Sequence, residues 1–428
     1  MLDAPRVFME STRKCEVLIA GAGPAGLATA LYLLRRRPEL AGRIVAIEKS
    51  AHPRFKVCAG GLIPKTMLAL EELGIALDAP AVEVVRGEAR TPTGSVDLSR
   101  GGDVLCTIVR RDRFDAMLAR AATRAGLEIV ENERVVVVEA SQDAHTVRVR
   151  TERGVYESSV LVGADGSGSR VRREVFGERK ATTGRALMTD IAVNPETAVE
   201  FREHRYRFDF RCVSGGISGY SWSFPCMIDG RPHLNVGIYD QRPRDFNKRP
   251  RDFTEKGGEQ ARMLAELGAS FPELSLDKMM RREMKWNSFP IRWFDAADRY
   301  AQGRVILAGD AAGVDPLMGE GISCAFEHGK LAAGAIGAFL DGDESALVAY
   351  DRSLHESAVG RKLSKLAFAA RHFYGRHHRL FFRIAQASRR ASEIGVDWYN
   401  GAHHLDEVRT HRIVARWIRA VLLGAPVR

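Results

Sequence analysis

Gly309-Asp310-Ala311-Ala312-Gly313 sets a carboxylate in a glycine-rich turn. These residue types suit the binding of a dinucleotide cofactor. Asp310 follows the apolar run Val305-Ile306-Leu307-Ala308 and can hold polyol hydroxyls, while the glycines permit close backbone approach. The segment runs on through Val314, Asp315, Pro316, Leu317, Met318, Gly319, Glu320, Gly321 and Ile322. A helix beginning near Glu320 would turn its N-terminus toward a ring that gains negative charge on reduction. An ordinary strand-loop-helix connection has the same composition, so the segment needs a partner.

That partner is Val17-Leu18-Ile19-Ala20-Gly21-Ala22-Gly23-Pro24-Ala25-Gly26, a buried-strand pattern running into G-x-G-x-x-G and an apolar helix. Gly21 allows the turn, Gly23 lets backbone approach a pyrophosphate, and Gly26 lets helix pack on strand, while the helix N-terminus, with Ala25 and Gly26, faces the phosphates. Glu48, followed by Lys49, ends the next strand about 20 residues beyond the glycines, where an acid accepts from a ribose hydroxyl. A third motif, Gly163-Ala164-Asp165-Gly166-Ser167-Gly168-Ser169-Arg170, can serve both a flavin dinucleotide's phosphates and an incoming nicotinamide cofactor. Arg111 begins a helix from which it can reach a phosphate or the ribityl chain; a capped surface helix reads the same way. Together these segments indicate FAD, held from both ends of one fold.

The elements that must position these residues follow from periodicity. Helices are expected near 24–36, 64–73 and 112–126, and strands near 82–98, 134–140, 146–151 and 155–162. Between about 184 and 290 the pattern changes to aromatic and β-branched strands, with a hairpin expected to turn at Asp229-Gly230. The chain then returns to the nucleotide-binding sheet at Val305. The expected fold is α/β: a Rossmann-like FAD-binding domain from 14–80, 101–183 and 296–345, with a β-rich substrate domain from 81–100 and 184–295. A basic helical region, 346–428, completes it.

A chain of 428 residues exceeds one ordinary core, and 45% hydrophobic with 28% charged residues describes a soluble globular protein. No stretch approaches the roughly 20 apolar residues of a membrane span. The six cysteines lack C-x-x-C spacing and no signal-peptide pattern opens the chain, so a cytoplasmic location without disulfides or a zinc site is expected. The net charge of +10 is uneven: Asp351 to Arg428 holds fifteen Lys and Arg against six Asp and Glu. There Arg371 to Arg383 interleaves bases with aromatics, and Arg412 to Leu423 repeats the style. Such segments suit peripheral contact with an anionic membrane, or a helical layer with rings inside and arginines in water. No nucleic-acid reader module is present.

The three motifs together resemble the para-hydroxybenzoate hydroxylase-like flavoproteins. Within them, G-D-A-A-G-x-x-x-P-x-x-G-E-G-I, the Cys58-Ala59-Gly60-Gly61 turn and Tyr220-Ser221-Trp222-Ser223-Phe224-Pro225 are similar to the geranylgeranyl reductase family. The likeness covers about residues 14 to 340. Ala59 stands where the family has glycine, and the family's G-x-G past Pro225 appears only as Asn235-Val236-Gly237. The resemblance implies reduction of carbon-carbon double bonds in an isoprenoid or prenyl-lipid substrate, by FAD recharged from NAD(P)H or another donor. An unconjugated trisubstituted alkene does not accept hydride unaided, so a proton donor beside the flavin is required. Cys58 matches the family cysteine; it either gives that proton or shapes the flavin pocket, since a thiol is a weak acid for this step. Tyr220 and Trp222, alternating with Phe224, suit an apolar substrate wall or an ordinary half-buried strand. Two other classes stay open: a flavin monooxygenase or halogenase, and a non-catalytic flavin- or lipid-binding protein. Halogenases carry W-x-W-x-I-P where this chain has Tyr220 to Pro225, and lack its Cys58 turn.

Overall fold

The computed structural model describes residues 12–140, 145–177, 183–241, 259–276, 285–386 and 389–401. Val17-Leu18-Ile19-Ala20 is apolar at every position because both faces of its strand are covered. That strand, Thr12–Ala20, pairs in parallel with Val155–Gly163 on one side and Ile44–Ile47 on the other. The sheet runs in the order Ala301–Gln302, Val305–Leu307, Val155–Gly163, Thr12–Ala20, Ile44–Ile47, Glu128–Val130. The chain therefore returns to it at Val305, nearly 300 residues after leaving the first strand, which brings Asp310 beside the first glycine turn.

Gly21, at φ +103°, makes that turn, and a Cβ there would lie 2.3 Å from the Ala164 carbonyl oxygen. Helix Pro24–Arg36 follows, with Pro24 at its first position and Arg35 and Arg36 in its last turn, each placed as helix ends favour. Helix Ile322–Leu340 packs on it; a Cβ on Gly329 would meet Ala28 and Thr29 at 2.8 Å, so the two backbones meet without a side chain between them.

A second sheet of seven strands runs Asn287–Arg292, Thr183–Ala192, Arg231–Asp240, Gly219–Ile228, Arg205–Asp209, Arg86–Thr91, Gly94–Asp97. The expected hairpin forms: Asp229 and Gly230 both have positive φ, +48° and +74°, the combination a two-residue primed turn needs. Strands Gly61–Leu62, Cys106–Val109 and Ala81–Val84 form a small third sheet that carries the cysteine turn. Helices Ala346–Glu356, Ala358–Phe373, His378–Gln386 and Arg389–Asn400 close the far side. Arg412 to Leu423 lies outside the described residues.

Candidate active site

One cavity of about 1310 Å³ joins the glycine turns to the aromatic face of the seven-stranded sheet. Its first half is the nucleotide cradle. Gly21, Gly23, Ala25, Glu48, Lys49, Gly166, Gly309, Gly319, Gly321 and Ile322 all border it. Glu48 is 4% exposed and accepts from Ala22 N at 3.0 Å and Ser50 N at 3.2 Å, so its position at the strand end is set by the turn it stabilises. At Gly23 an added Cβ would find only Arg54 Nη2, 3.4 Å away. The turn is thus bare toward the cavity with a guanidinium alongside, the arrangement a pyrophosphate needs. FAD fits these residues.

Two expected ligands, Gly26 and Pro316, lie off the cavity, and two that border it, Asp165 and Arg111, also bond within the protein. Gly26 lies off the cavity: a Cβ there would be 2.0 Å from the Gly21 carbonyl oxygen, so it serves the helix-strand contact. Pro316 is also off it, its carbonyl accepting from Gln241 Nε2 at 2.7 Å. Asp165 caps helix Arg170–Phe176, accepting from Ser169 Oγ, from Arg170 N at 2.6 Å and from Val171 N at 3.1 Å. Burial raises its pKa and these bonds oppose the rise; Asp165 borders the cavity together with Arg170 and Arg173. Arg111 borders the cavity, held by Asp115 at 2.8 and 3.1 Å and lying beside the Cys58 thiol.

Three groups escaped the sequence reading. Arg54 links the cradle to its support, 3.5 Å from Glu48 and 3.2 Å from Asp115. Lys56 stands 3.9 Å from Asp310 with its ammonium 3.4 Å from the Phe289 ring centroid; burial lowers its pKa to about 8, against the pull of Asp310. His328 accepts from Gly309 N through Nδ1 at 3.1 Å, which places its own proton on Nε2. Motif spacing could not flag these, because each partner comes from a different element.

His328 makes the glycine turn acid-sensitive. Burial holds its folded pKa down at about 4, against about 6.5 for an unfolded histidine. The unfolded chain therefore takes up a proton first, and stability present above pH 6.5 is lost as pH falls toward 4. Asparagine keeps an acceptor for Gly309 N but does not titrate. The stability advantage of wild type over His328→Asn should shrink by about 3 kcal/mol between pH 7 and 4, measured by urea melts at each pH. A constant difference overturns the assignment.

At the junction, Cys58 is half-buried and accepts from Gly60 N at 3.4 Å. Gly60, at φ +79°, cannot be replaced, since a Cβ would lie 1.8 Å from the Val109 carbonyl oxygen. Position 59 tolerates a methyl: Ala59 packs against the aromatic cluster, which accounts for the departure from the family glycine.

The second half is apolar. Tyr220, Trp222 and Phe224 are each under 10% exposed and share the sheet face with Tyr206, Phe208 and Tyr239. The Phe208 ring lies 5.2 Å from Tyr220 and 5.3 Å from Phe224, both edge-on. The altered stretch after Pro225 serves Trp222. Asn235 Oδ1 accepts from the indole N–H at 2.8 Å, and Gly237, opposite on the next strand, has no side chain where the indole lies. The cavity crosses six inter-strand spacings from Ile291 to Val96, roughly 29 Å.

The loop over the junction is held from three sides. Tyr220 OH donates to the Met318 carbonyl, Tyr374 OH to the Leu317 carbonyl at 2.6 Å, and Tyr399 OH to Asp315 Oδ2 at 2.7 Å. The last two come from the C-terminal helices. Phe373, Phe381 and Phe382 of these helices also turn inward and wall the apolar half.

Residues 14–361 match the FAD binding domain family. A digeranylgeranylglycerophospholipid reductase of Methanothrix thermoacetophila is 26% identical over 372 residues, covering 82% of this chain and 85% of its own. The 12-dehydrotetracycline 5-monooxygenase/anhydrotetracycline 6-monooxygenase of Streptomyces rimosus is also 26% identical, over 348 residues, 76% of this chain and 63% of its own. Among solved structures, a geranylgeranyl bacteriochlorophyll reductase-like protein of Thermoplasma acidophilum superposes with TM-score 0.69 at 19% identity, covering 94% of this chain and 100% of that one. Equal identity to a reductase and a monooxygenase leaves the reaction to be argued from the site.

Proposed function

The chain belongs to the FAD binding domain family, and from that premise we propose that this FAD-dependent oxidoreductase reduces carbon-carbon double bonds of a prenyl lipid. One observation carries the reading: the cradle opens directly into a long aromatic-walled cavity whose far wall, among the described residues, holds no charge cluster suited to a small polar aromatic acid. The relatives named for reduction of prenyl substrates support it, as does the Cys58 turn.

FAD, recharged by NAD(P)H in this proposal, supplies the hydride. The chain's residues do the rest. Tyr220, Trp222 and Phe224 exclude water and align an isoprenoid chain against the junction. Saturating each bond takes a proton from the protein at the less substituted alkene carbon and a hydride, which bound FAD would supply, at the more substituted one, a gain of one H2 in all. Cys58 and Lys56 both border the junction and can give that proton. Cys58 is the first assignment, and Lys56, whose pKa burial brings to about 8, is the second.

The reading is tested by reducing the holoprotein without oxygen, adding a geranylgeranyl lipid and following flavin reoxidation alongside product mass. Reoxidation with gain of H2 supports it. Reoxidation that needs oxygen, with an oxygenated product, assigns a monooxygenase instead, and none at all leaves a binding protein. For the donor, Cys58→Ala and Cys58→Ser should each slow single-turnover reoxidation by about 10²-fold or more. Undiminished rates in both pass the role to Lys56.

A further inference from the structure

The apolar half of the cavity has a mouth. Phe368, His372 and Phe381 border it, from helices Ala358–Phe373 and His378–Gln386, and Ile394 borders it from helix Arg389–Asn400. Their rings form a continuous strip, with centroids 4.1 Å apart for Phe368 and His372 and 4.5 Å for His372 and Phe381. Yet Phe368 is 55% exposed, and Leu380, next to Phe381 in the chain, 46%. Apolar side chains at an opening, left in water, mark a contact surface.

Charge identifies the kind of contact. Ser357 to Ser392 carries nine Lys and Arg and no Asp or Glu. Arg371, Arg376, Arg379 and Arg383 are exposed around the aromatic strip. Among the described residues Arg371, Arg379 and Arg383 have no carboxylate partner. A second copy of the chain would bring these cations together, which is unfavourable. Nucleic acid would satisfy the cations and leave the apolar tips without a partner. An anionic bilayer answers both, taking Phe368 and Leu380 into the acyl boundary and the guanidinium groups onto headgroup phosphates.

We propose that this mouth docks on an anionic membrane surface and that the prenyl substrate passes from the bilayer between Phe368 and Phe381 into the cavity. The second clause rests on the prenyl-lipid reading; the docking does not. Entry by this route spares the isoprenoid chain an aqueous step, which is costly in proportion to its apolar area.

The test uses the full-length oxidised holoprotein and phosphatidylcholine vesicles with and without phosphatidylglycerol. Co-sedimentation is expected only with phosphatidylglycerol and at low salt, and should disappear as salt screens the surface. Arg371→Gln, Arg379→Gln and Arg383→Gln together should weaken binding on the order of 100-fold. None of the three borders the cavity. Flavin absorbance and reduction of a geranylgeranyl lipid in neutral detergent micelles should therefore stay at wild-type level, while reduction of the same lipid in anionic vesicles falls. Equal binding to neutral vesicles overturns the proposal, as do binding unchanged in the triple variant, a salt-sensitive dimer broken by these substitutions, and preference for duplex DNA. Vesicle binding without turnover in micelles would sink the reductase reading alone.

Discussion

Gly23→Val should leave a folded chain that no longer holds FAD. At φ −86° and ψ −177° Gly23 occupies extended backbone that valine adopts readily. A Cβ there would meet only the end of the flexible Arg54 side chain, at 3.4 Å, so the protein itself has little to rearrange. The methyl groups instead enter the ground a pyrophosphate must occupy. Overpacking there costs about 1–3 kcal/mol, and each charge-assisted bond lost from a phosphate oxygen costs about as much again. Affinity should fall on the order of 100- to 1000-fold. The purified variant should be colourless and should titrate weakly with added FAD by fluorescence, yet melt with apo wild type. Gly21→Val is the contrast: at φ +103° and 2.3 Å from the Ala164 oxygen it should fail to fold. A yellow Gly23→Val protein would mean that the cradle lies elsewhere.

This contrast also shows what was legible before the structure. Gly21 and Gly23 could be given different tasks from spacing alone, because the turn between a strand and a helix is local and leaves few alternatives. The Asp229-Gly230 turn was legible for the same reason. Asp165 borders the cavity as expected, but its second task was not legible, because a carboxylate between glycines looks alike whether or not it also caps the helix that follows it. Arg54 and His328 gave no local signal. Arg54 meets Asp115 across some sixty residues, and His328 meets Gly309 only through the curl of the loop into its helix.

The C-terminal helices were harder still. Interleaved arginines and aromatics fit a membrane surface and a packed layer equally well in sequence. The structure gives the region both an inside and an outside. Tyr374 and Tyr399 hold the loop at the flavin junction, Phe382 is buried against the aromatic cluster, and Arg379 and Arg383 face solvent. A helix with two occupied faces carries two patterns at once, and periodicity reports only their sum.

Gly237→Ala should have the largest effect on the apolar half. A Cβ at 237 would lie 2.2 Å from Trp222 Cζ2 and 2.7 Å from the Leu187 carbonyl oxygen, so backbone blocks one side and the indole must leave the other. Moving it breaks the 2.8 Å bond to Asn235 Oδ1 and drives the ring into the cavity, where the substrate chain would lie. Overpacking of this kind costs about 1–3 kcal/mol, and the stranded buried amide about 1–3 kcal/mol more. Flavin content should stay near wild type, because Gly237 does not border the cavity and the atoms its Cβ would meet belong to Trp222 and Leu187. Single-turnover reoxidation by a prenyl lipid should slow by roughly 30-fold or more, equivalent to about 2 kcal/mol, the lower end of that summed cost. Adding Trp222→Phe removes the atoms that clash, so the double variant should recover stability that neither change alone would suggest. The coupling should be about 1 kcal/mol or more, since residues in direct contact are not additive. Additive losses in a double-mutant cycle would mean that Trp222 leaves its place for another reason. If Gly237→Ala bound substrate and turned over normally, the wall formed by Tyr220, Trp222 and Phe224 would be core alone, and the prenyl chain would have to lie elsewhere.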